Sequence, residues 1–239
     1  MQRCLVSGDL FELEDIPIEG DLAHHLRDVL RIKQGEKLSL LDGAGHRKEA
    51  VVAEVSRHTV RVATCGNVET VARAWPDITL FQCVIKNASM DWVVEKAAEL
   101  GVATLVPVVA QRSVVKHDEG AVNKRWQRIA DSALEQCGNV WRMDIAPVCG
   151  FPSALQLARG IVPTFVGALS ADAKPIRDAL AFAGASERMG WFVGPEGDFS
   201  EEELFSLCSS GAIPVTLGKN VLRSETAAVF GLSVMRALT

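Results

Sequence analysis

Short, predominantly apolar runs alternate with helical patterns over the last two-thirds of the chain. The runs lie at residues 78–85, 103–110, 162–169 and 191–193, and helical spacing of apolar residues recurs between them. A strand that is apolar along its length is buried on both faces, and the intervening helices cover the two faces of a parallel sheet. This alternation predicts an α/β domain over residues 77–239.

The preceding part of the chain has mainly β character. Runs typical of strands lie at residues 37–41, 50–55 and 59–63, with turn signals between them. A polar stretch at residues 69–77 indicates a linker. We therefore assign residues 1–72 to a separate small β-barrel domain.

One amphipathic helix interrupts the β domain. Asp21 is its predicted N-cap, and the helix over residues 22–31 has an apolar face made by Leu22, Leu26, Val29 and Leu30. Basic side chains off that face form either a solvated helix surface or a patch that contacts RNA phosphates. The candidate RNA-binding residues are His24, Arg27, Arg31, Lys33 and, in the second domain, Lys86.

Composition limits the possible partners and surroundings. The 239 residues carry a net charge of −5, which argues against nucleic-acid binding by the whole surface but allows a local basic face. No apolar run has the length of a membrane span, and the N-terminal run is too short for a signal peptide, so we expect a cytoplasmic protein. The six cysteines are scattered and form no C-x-x-C pair, and H-E-x-x-H is missing, so we expect reduced thiols and no metal site.

Three glycine-containing loops follow predicted strands, at residues 167–171, 194–199 and 217–225. Loops at the carboxyl ends of parallel strands are where ligands bind in open α/β sheets, and glycine lets the backbone approach a ligand closely. The chain contains no G-x-G-x-x-G after a strand, no P-loop and no G-x-S-x-G elbow. The loops therefore suit a nucleoside held by backbone groups and apolar side chains.

The third loop combines charged residues with an apolar surrounding. Lys219, Arg223 and Glu225 flank Val221 and Leu222, and the loop leads into a long apolar helix. Ser224 is the predicted N-cap of that helix, and Glu225 in its first turn suits the helix dipole. The loop is either a ligand site or a tight turn whose charges face water.

Motifs spread nearly from end to end form a specific combination in this order. They are His24-His25-Leu26-Arg27 with Val29-Leu30-Arg31; Lys86 with Met90-Asp91-Trp92; Glu95-Lys96-Ala97-Ala98-Glu99-Leu100-Gly101; Pro107 with Gln111-Arg112-Ser113; Glu135-Gln136-Cys137; Gly194-Pro195-Glu196-Gly197; and Leu217-Gly218 with Leu222-Arg223-Ser224-Glu225-Thr226-Ala227. The combination resembles the ribosomal RNA uracil-N3 methyltransferases that act on the small subunit, a branch of the SPOUT superfamily. Two positions depart from the family pattern, Asp198 where glycine is frequent and Asn139 where arginine is frequent.

The resemblance implies an α/β protein in which an N-terminal PUA-like β-barrel precedes a SPOUT methyltransferase domain with a C-terminal trefoil knot. It implies S-adenosylmethionine bound in the knot, a homodimer, and 16S ribosomal RNA or the small ribosomal subunit as partner. The activity that it implies is methylation of N3 of a uridine. The remaining alternatives are a SPOUT enzyme that modifies the ribose 2′-OH or another base, and a non-catalytic RNA-binding ribosome assembly factor.

The resemblance also assigns site residues. The cofactor-binding candidates are Leu169, Ser170, Gly194, Pro195, Glu196, Gly197, Leu217, Gly218, Val221, Leu222 and Arg223. Uracil N3 is a poor nucleophile until its proton leaves, so a base and a stabiliser of the anion are needed. Glu225 and Arg223 are the first candidates, and Arg112 and Glu135 are further ones. Helix capping by Glu225 and a structural ion pair between Arg112 and Glu135 are the alternatives.

Overall fold

The computed structural model divides the chain into two compact units. Unit 1 consists of Met1–Arg73 and Leu134–Arg142, and unit 2 consists of Ala74–Ala133 and Met143–Thr239. The residues that the structure describes are 1–73, 76–115, 118, 120–170 and 172–238. Trp75 of the predicted linker and Ala171 of the first predicted loop lie outside them.

Unit 1 is built on a five-stranded sheet that forms a curled half-barrel. The strands are β1 (Gln2–Leu5), β2 (Asp15–Ile18), β3 (Lys37–Leu41), β4 (His46–Val55) and β5 (Val60–Thr70). They are arranged in the order β1-β3-β4-β5-β2, and all pairs are antiparallel except β1 with β3. Alternate side chains of these strands face a common apolar core, which is why the predicted β pattern in this region is correct.

The predicted helix of unit 1 is present but differs in two respects. It comprises α2 (Gly20–His24) and a π-helical turn (His25–Val29), and it follows the short helix α1 (Gly8–Phe11). The expected N-cap Asp21 lies inside the first turn, and Glu19 occupies the cap position. Val29, expected on the buried face, is 60% exposed because the π turn adds a residue and rotates the following side chains.

Unit 2 is organised around a parallel sheet, as the alternating apolar runs predicted. Its strands are β6 (Asp77–Cys83), β7 (Thr104–Val109), β8 (Asp144–Ile145), β9 (Cys149–Gly150), β10 (Thr164–Gly167), β11 (Lys174–Pro175), β12 (Arg188–Val193) and β13 (Ile213–Thr216). The order is β11-β13-β10-β12-β6-β7-β8, and β9 also pairs with β7. Every pairing in this sheet is parallel.

Helices cover both faces of the unit 2 sheet. They are α3 (Asn87–Glu99), α4 (Lys124–Cys137), α5 (Phe151–Ala158), α6 (Ile176–Ala183), α7 (Glu201–Ser209) and α8 (Ser224–Leu238). On β6, Ile78 and Leu80 pack in the core with α3 and α8, whereas Phe81 and Cys83 face the core that contains α5 and α7. Among the described residues, no helix is long and apolar enough to cross a membrane.

The starts of α3, α5 and α7 show how well local sequence signals identify the N-cap of a helix. The pattern of Ser200 followed three residues later by Glu203 is typical of a capping box, and the structure confirms it at the start of α7, where the two residues exchange side-chain and backbone hydrogen bonds. Ser89 and Asp91 are residue types that favour N-caps, but neither caps α3, because Lys86 occupies the N-cap position. Ser153 is likewise a residue type that favours N-caps, but α5 begins earlier, because Gly150 is its N-cap and proline suits the first turn.

Candidate functional site

A cavity of about 590 Å³ lies at the carboxyl ends of β10, β12 and β13. The strands of a parallel sheet end at one edge, so the loops that follow these three strands converge there. The predicted cofactor residues that line the cavity are Leu169, Gly194, Pro195, Glu196, Leu217, Gly218, Val221, Leu222 and Arg223. Two other candidates, Ser170 and Gly197, are not among its lining residues.

The loop after β12 requires its first glycine for steric reasons. A Cβ atom at Gly194 would lie 3.0 Å from Oδ1 of Asp198 and 3.2 Å from the backbone nitrogen of Phe199. Asp198 itself adopts φ 60°, a conformation that favours glycine but that aspartate tolerates, and its Oδ1 accepts a hydrogen bond of 2.8 Å from the Phe199 N–H. The aspartate thus fits the position where the resembled family often has glycine.

Gly218 combines a position in the cavity lining with a backbone conformation that favours glycine. Gly218 lines the cavity, and a Cβ atom there would meet no protein atom within 4 Å, so a larger side chain at this position has the open space of the cavity beside it. Its φ of 129° lies in a region that L residues rarely adopt. The constraint at this position is therefore the backbone conformation of the loop.

Arg223 and Glu225, the charged pair of the third loop, lie at the start of α8. Arg223 is exposed and Glu225 is half-buried, and both line the cavity. The prediction that Ser224 caps the helix is wrong, because its hydroxyl donates to the carbonyl of Gly194 at 2.6 Å. Arg223 occupies the cap position instead, and its carbonyl accepts from the Ala227 N–H at 2.8 Å.

Gln82 is a buried residue near the site that the sequence reasoning missed. Its Nε2 donates to Oγ of Ser224 at 3.0 Å and to the carbonyl of Cys83 at 2.8 Å. The sequence contained one signal for this residue, a glutamine within an apolar strand. Amides are rarely fully buried without a specific hydrogen-bond partner, so such a residue indicates a buried polar contact.

Arg112 supports the loop after β12 and is not a cavity-lining residue. Its Nη1 donates to the carbonyl of Gly197 at 3.1 Å and to that of Phe199 at 3.4 Å. The neighbouring Gln111 N–H donates to Oε1 of the buried Glu203 at 2.8 Å. These contacts give Arg112 a positioning role, and its catalytic role stays a prediction.

Glu135 and Asn139 belong to unit 1, which includes the last residues of α4, and each accepts a backbone hydrogen bond within that unit. Oε1 of Glu135 accepts from the Leu5 N–H at 2.7 Å, and Oδ1 of Asn139 accepts from the Trp141 N–H at 3.1 Å. Burial raises the pKa of the Cys4 thiol, and the charge of Glu135 adds to this rise. A catalytic role for Glu135 also stays a prediction.

Two of the predicted RNA-binding residues of unit 1, His24 and Arg27, are paired with the same carboxylate, that of Asp28. Asp28 lies 3.1 Å from Nε2 of His24, and its Oδ1 accepts from Nε of Arg27 at 2.8 Å. The hydrogen bond with Arg27 lowers the pKa of Asp28. Arg31 and Lys33 are exposed, and Arg31 ends the helix at φ 52°. Lys86 lines the cavity of unit 2, and its contact with RNA stays a prediction.

Possible metal ligands and the Cys83 thiol are two further features of the described residues. Within the ranges that the structure describes, no three His, Cys, Asp or Glu side chains are grouped as metal ligands. Burial raises the pKa of the Cys83 thiol, and the nearby charges of Glu203 and Asp198 raise it further. Cys83 therefore remains protonated at neutral pH, and the thiol form is a weak nucleophile.

The lining of the cavity combines glycine backbone, apolar side chains and charges of both signs. Leu217, Val221 and Leu222 supply apolar surface, while Lys86 and Glu196 supply opposite charges. Such a cavity at a sheet edge suits a nucleoside that carries both positive and negative groups. The fold and the site thus define an α/β protein with a small-molecule cavity at the edge of its parallel sheet.

Comparisons with known proteins identify the class and then the family. Residues 73–236 match the model of the RNA methyltransferase domain, and residues 18–65 match that of the RNA methyltransferase PUA domain. The chain is therefore an RNA methyltransferase by its domains. It is 30% identical to ribosomal RNA small subunit methyltransferase E of Mycobacterium bovis, over 96% of this chain and 92% of that protein. The chain belongs to the ribosomal RNA small subunit methyltransferase E family.

Other similar proteins agree over nearly the full length. Ribosomal RNA small subunit methyltransferase E of Bacillus subtilis is 27% identical, over 98% of this chain and 96% of that protein. The methyltransferase Lpg2936 of Legionella pneumophila has a solved structure in complex with the cofactor S-adenosylmethionine. Its sequence is 30% identical to this chain, and the two structures match with a TM-score of 0.89 over 98% of this chain and 96% of that chain. A Neisseria gonorrhoeae ribosomal RNA small subunit methyltransferase E bound to S-adenosylmethionine is 27% identical, with a TM-score of 0.88 and coverage of 100% and 98%.

Proposed function

We propose that this protein transfers the methyl group of S-adenosylmethionine to N3 of a uridine in small-subunit, 16S-type ribosomal RNA. The observation that carries the proposal is the cavity at the sheet edge, in whose lining Arg223 and Glu225 stand beside glycine-rich loops. Family membership supports the same reaction, since solved relatives bind S-adenosylmethionine and curated relatives are named for the small-subunit RNA.

The residues present fit S-adenosylmethionine. The volume of about 590 Å³ lies within the range of small-molecule sites. The ligand is a nucleoside with a sulfonium cation, an ammonium group and a carboxylate, so it needs no phosphate-binding loop. Gly194, Leu217 and Gly218 would offer it backbone N–H and C=O groups, and Val221 and Leu222 would offer apolar surface.

The reaction requires the loss of the N3 proton of uracil and the formation of an N–CH₃ bond. Bound S-adenosylmethionine supplies an electrophilic methyl group on a sulfonium centre, which leaves as a neutral thioether. Glu225 accepts the N3 proton, directly or through one water molecule. Arg223 donates hydrogen bonds to a uracil carbonyl oxygen and so stabilises the negative charge that the base gains when the proton leaves.

Further features of the proposal concern assembly and RNA binding. Unit 1 binds the RNA backbone through His24, Arg27, Arg31 and Lys33, and Lys86 contacts the RNA from unit 2. The C-terminal segment forms a trefoil knot around the cofactor, and unit 1 is a PUA-like barrel. The protein acts as a homodimer in the cytoplasm. The exposed basic residues of unit 1 and the uncovered Phe230 of α8 support the RNA and dimer parts of this proposal.

The test is methylation of defined RNA followed by nucleoside analysis. The protein would be incubated with isotopically labelled S-adenosylmethionine and either naked 16S RNA or isolated small subunits, and the RNA would be digested for mass spectrometry. We expect labelled 3-methyluridine. A labelled ribose or another labelled base would identify a different SPOUT reaction. Calorimetry that detects no binding of S-adenosylmethionine would favour the non-catalytic assembly factor.

A further inference from the structure

Gln82 is a buried amide in an apolar part of the central sheet. Ile78 and Leu80, which share its face of β6, belong to the apolar core, and Gln82 is as fully buried as they are. Burial of an amide is unfavourable unless hydrogen bonds replace those lost to water. Within the described part of the chain, Oε1 of Gln82 has no hydrogen-bond partner. Packing alone does not account for glutamine at this position.

The donor end of the Gln82 side chain has two well-placed acceptors. One N–H of Nε2 is bonded to the carbonyl of Cys83 at 2.8 Å, and this contact orients the amide. The other is bonded to Oγ of Ser224 at 3.0 Å. Ser224 in turn donates its own proton to the carbonyl of Gly194 at 2.6 Å. Because the hydroxyl has a single proton, Ser224 accepts from Gln82 and donates to Gly194.

This chain of hydrogen bonds joins two walls of the cavity to the sheet beneath them. Gly194 opens the loop after β12, and Ser224 lies between Arg223 and Glu225 at the start of α8. Val193, the last residue of β12, is in register with Gln82 on β6. Two hydrogen bonds thus link the Gly194 loop and the start of α8 to a buried residue of the sheet. A buried anchor of this kind suits a site whose functional groups need fixed positions.

We propose that Gln82 is a positioning residue that acts through Ser224 to hold the Gly194 loop and the start of α8 in the geometry needed for cofactor binding and methyl transfer. The inference rests on the proposed function for the identity of the ligand. Gln82 is not a cavity-lining residue, so it affects the ligand only through Ser224 and Gly194.

The first variant to test is Gln82→Met, which keeps a long side chain and removes the donor. The matched control is Thr164→Val, because Thr164 is also buried in this sheet and donates to the Ile161 carbonyl at 2.7 Å, at the amino end of β10. Hydrogen exchange of backbone amides in the ligand-free protein would measure local opening of the loop that begins at Gly194. We expect faster exchange of the amides at 198–199 in Gln82→Met and unchanged exchange there in Thr164→Val.

Ligand binding and turnover separate positioning from general stability. We expect the Kd for S-adenosylmethionine, measured by calorimetry, to rise about tenfold in Gln82→Met, since a buried polar contact is lost. The single-turnover rate with saturating ligands should also fall, and Thr164→Val should change neither value. Wild-type exchange at 198–199 together with a wild-type Kd in Gln82→Met would overturn the proposal.

A double-mutant cycle tests whether Gln82 acts through Ser224. If both residues belong to one chain of hydrogen bonds, Gln82→Met should add little to the loss already caused by Ser224→Ala. Fully additive losses would mean that Gln82 acts by another route, and the proposal would fail. Exchange and cofactor binding need no RNA, so a wild-type protein that methylates no RNA would contradict the proposed function and still leave these measurements decisive for Gln82.

Discussion

Nη1 of Arg112 donates a hydrogen bond of 3.1 Å to the carbonyl of Gly197 and thereby supports the Gly194-Pro195-Glu196-Gly197 loop from outside the cavity. The close packing is mutual, because a Cβ atom at Gly197 would lie 3.3 Å from Cβ of Arg112. Arg112 therefore positions the backbone of this loop. Its guanidinium has five N–H donors, so further donors remain for a ligand.

Replacement of Arg112 by alanine should therefore affect cofactor binding more than the chemical step. We expect Arg112→Ala to raise the Kd for S-adenosylmethionine about tenfold, because hydrogen bonds to a charged group contribute roughly 1.5–3 kcal/mol. Calorimetry and single-turnover rates at saturating cofactor separate the two effects. Arg159→Ala, at an exposed position, is the control. A large loss of rate with an unchanged Kd would instead support the predicted catalytic role.

Gly218→Val tests the backbone requirement in the third loop. Gly211, which precedes the same strand, also has a positive φ of 97° and open space around it, so Gly211→Val is a matched control. We expect each variant to lose about 1–3 kcal/mol of folding free energy through backbone strain. Only Gly218→Val should weaken cofactor binding, by tenfold or more, as measured by calorimetry on the folded fraction. Equal Kd values for the two variants would remove Gly218 from the cofactor site.

The double variant Arg27→Ala/Arg31→Ala tests RNA binding by unit 1. Loss of two phosphate contacts should weaken RNA binding and lower the slope of log K against log salt concentration by about 1.5–2. Titrations at several salt concentrations measure this slope. The control Arg57→Ala/Arg159→Ala removes the same charge from other exposed positions. The affinity for S-adenosylmethionine should not change in either variant. If both double variants alter the slope equally, the helix of unit 1 has no specific RNA contact.

The exposed face of α8 bears on dimer formation. Ala228, Gly231, Leu232 and Met235 are buried within unit 2, whereas Phe230 is 42% exposed on a face that also presents Thr226, Ser233 and Ala237. A helix that is apolar on more than one side needs a second cover. We expect a dimer at micromolar concentration in sedimentation, and dissociation in Phe230→Glu. Phe205→Glu, on α7 at a position that is 73% exposed, is the control. A wild-type monomer that methylates RNA would contradict the prediction.

The sequence predicted those features whose causes are local. Apolar runs indicated the parallel sheet, and the pattern of Ser200 and Glu203 indicated the cap of α7, because both depend on neighbours in the chain. The two-residue strands β8, β9 and β11 lack a detectable period. The π turn that exposes Val29 changes helical register without a clear local signal.

Features that depend on residues distant in the chain were missed. Ser224 was taken for a helix cap because its hydroxyl can reach its own backbone, but the carbonyl of Gly194 competes successfully for the proton. The partner of Gln82 lies 142 residues away, and no local pattern specifies such a contact. The cavity could be located from strand ends, whereas the hydrogen bonds that hold its walls required coordinates.

Arg223 and Glu225 provide the sharpest test of the chemistry. Both line the cavity, and Ser224 between them is hydrogen-bonded to the carbonyl of Gly194. Loss of one preorganised charged partner can cost about 3 kcal/mol, or more than about a hundredfold in rate. Loss of a helix-terminal charge or cap should cost only about 1 kcal/mol of stability and leave the rate per folded enzyme intact.

Single-turnover methylation by Arg223→Ala and Glu225→Gln, with both substrates saturating, should therefore show reduced rates across the pH range. Glu201→Gln is the control, because Glu201 occupies the first turn of α7 and does not line the cavity. We expect Arg223→Ala to lose more, because water replaces a proton acceptor more readily than it replaces a fixed guanidinium. Wild-type rates in both variants with only a lower Tm would assign Arg223 and Glu225 to the structure of the loop. The candidate stabiliser of the uracil anion would then be Lys86, the other cationic residue among the described ones that line the cavity.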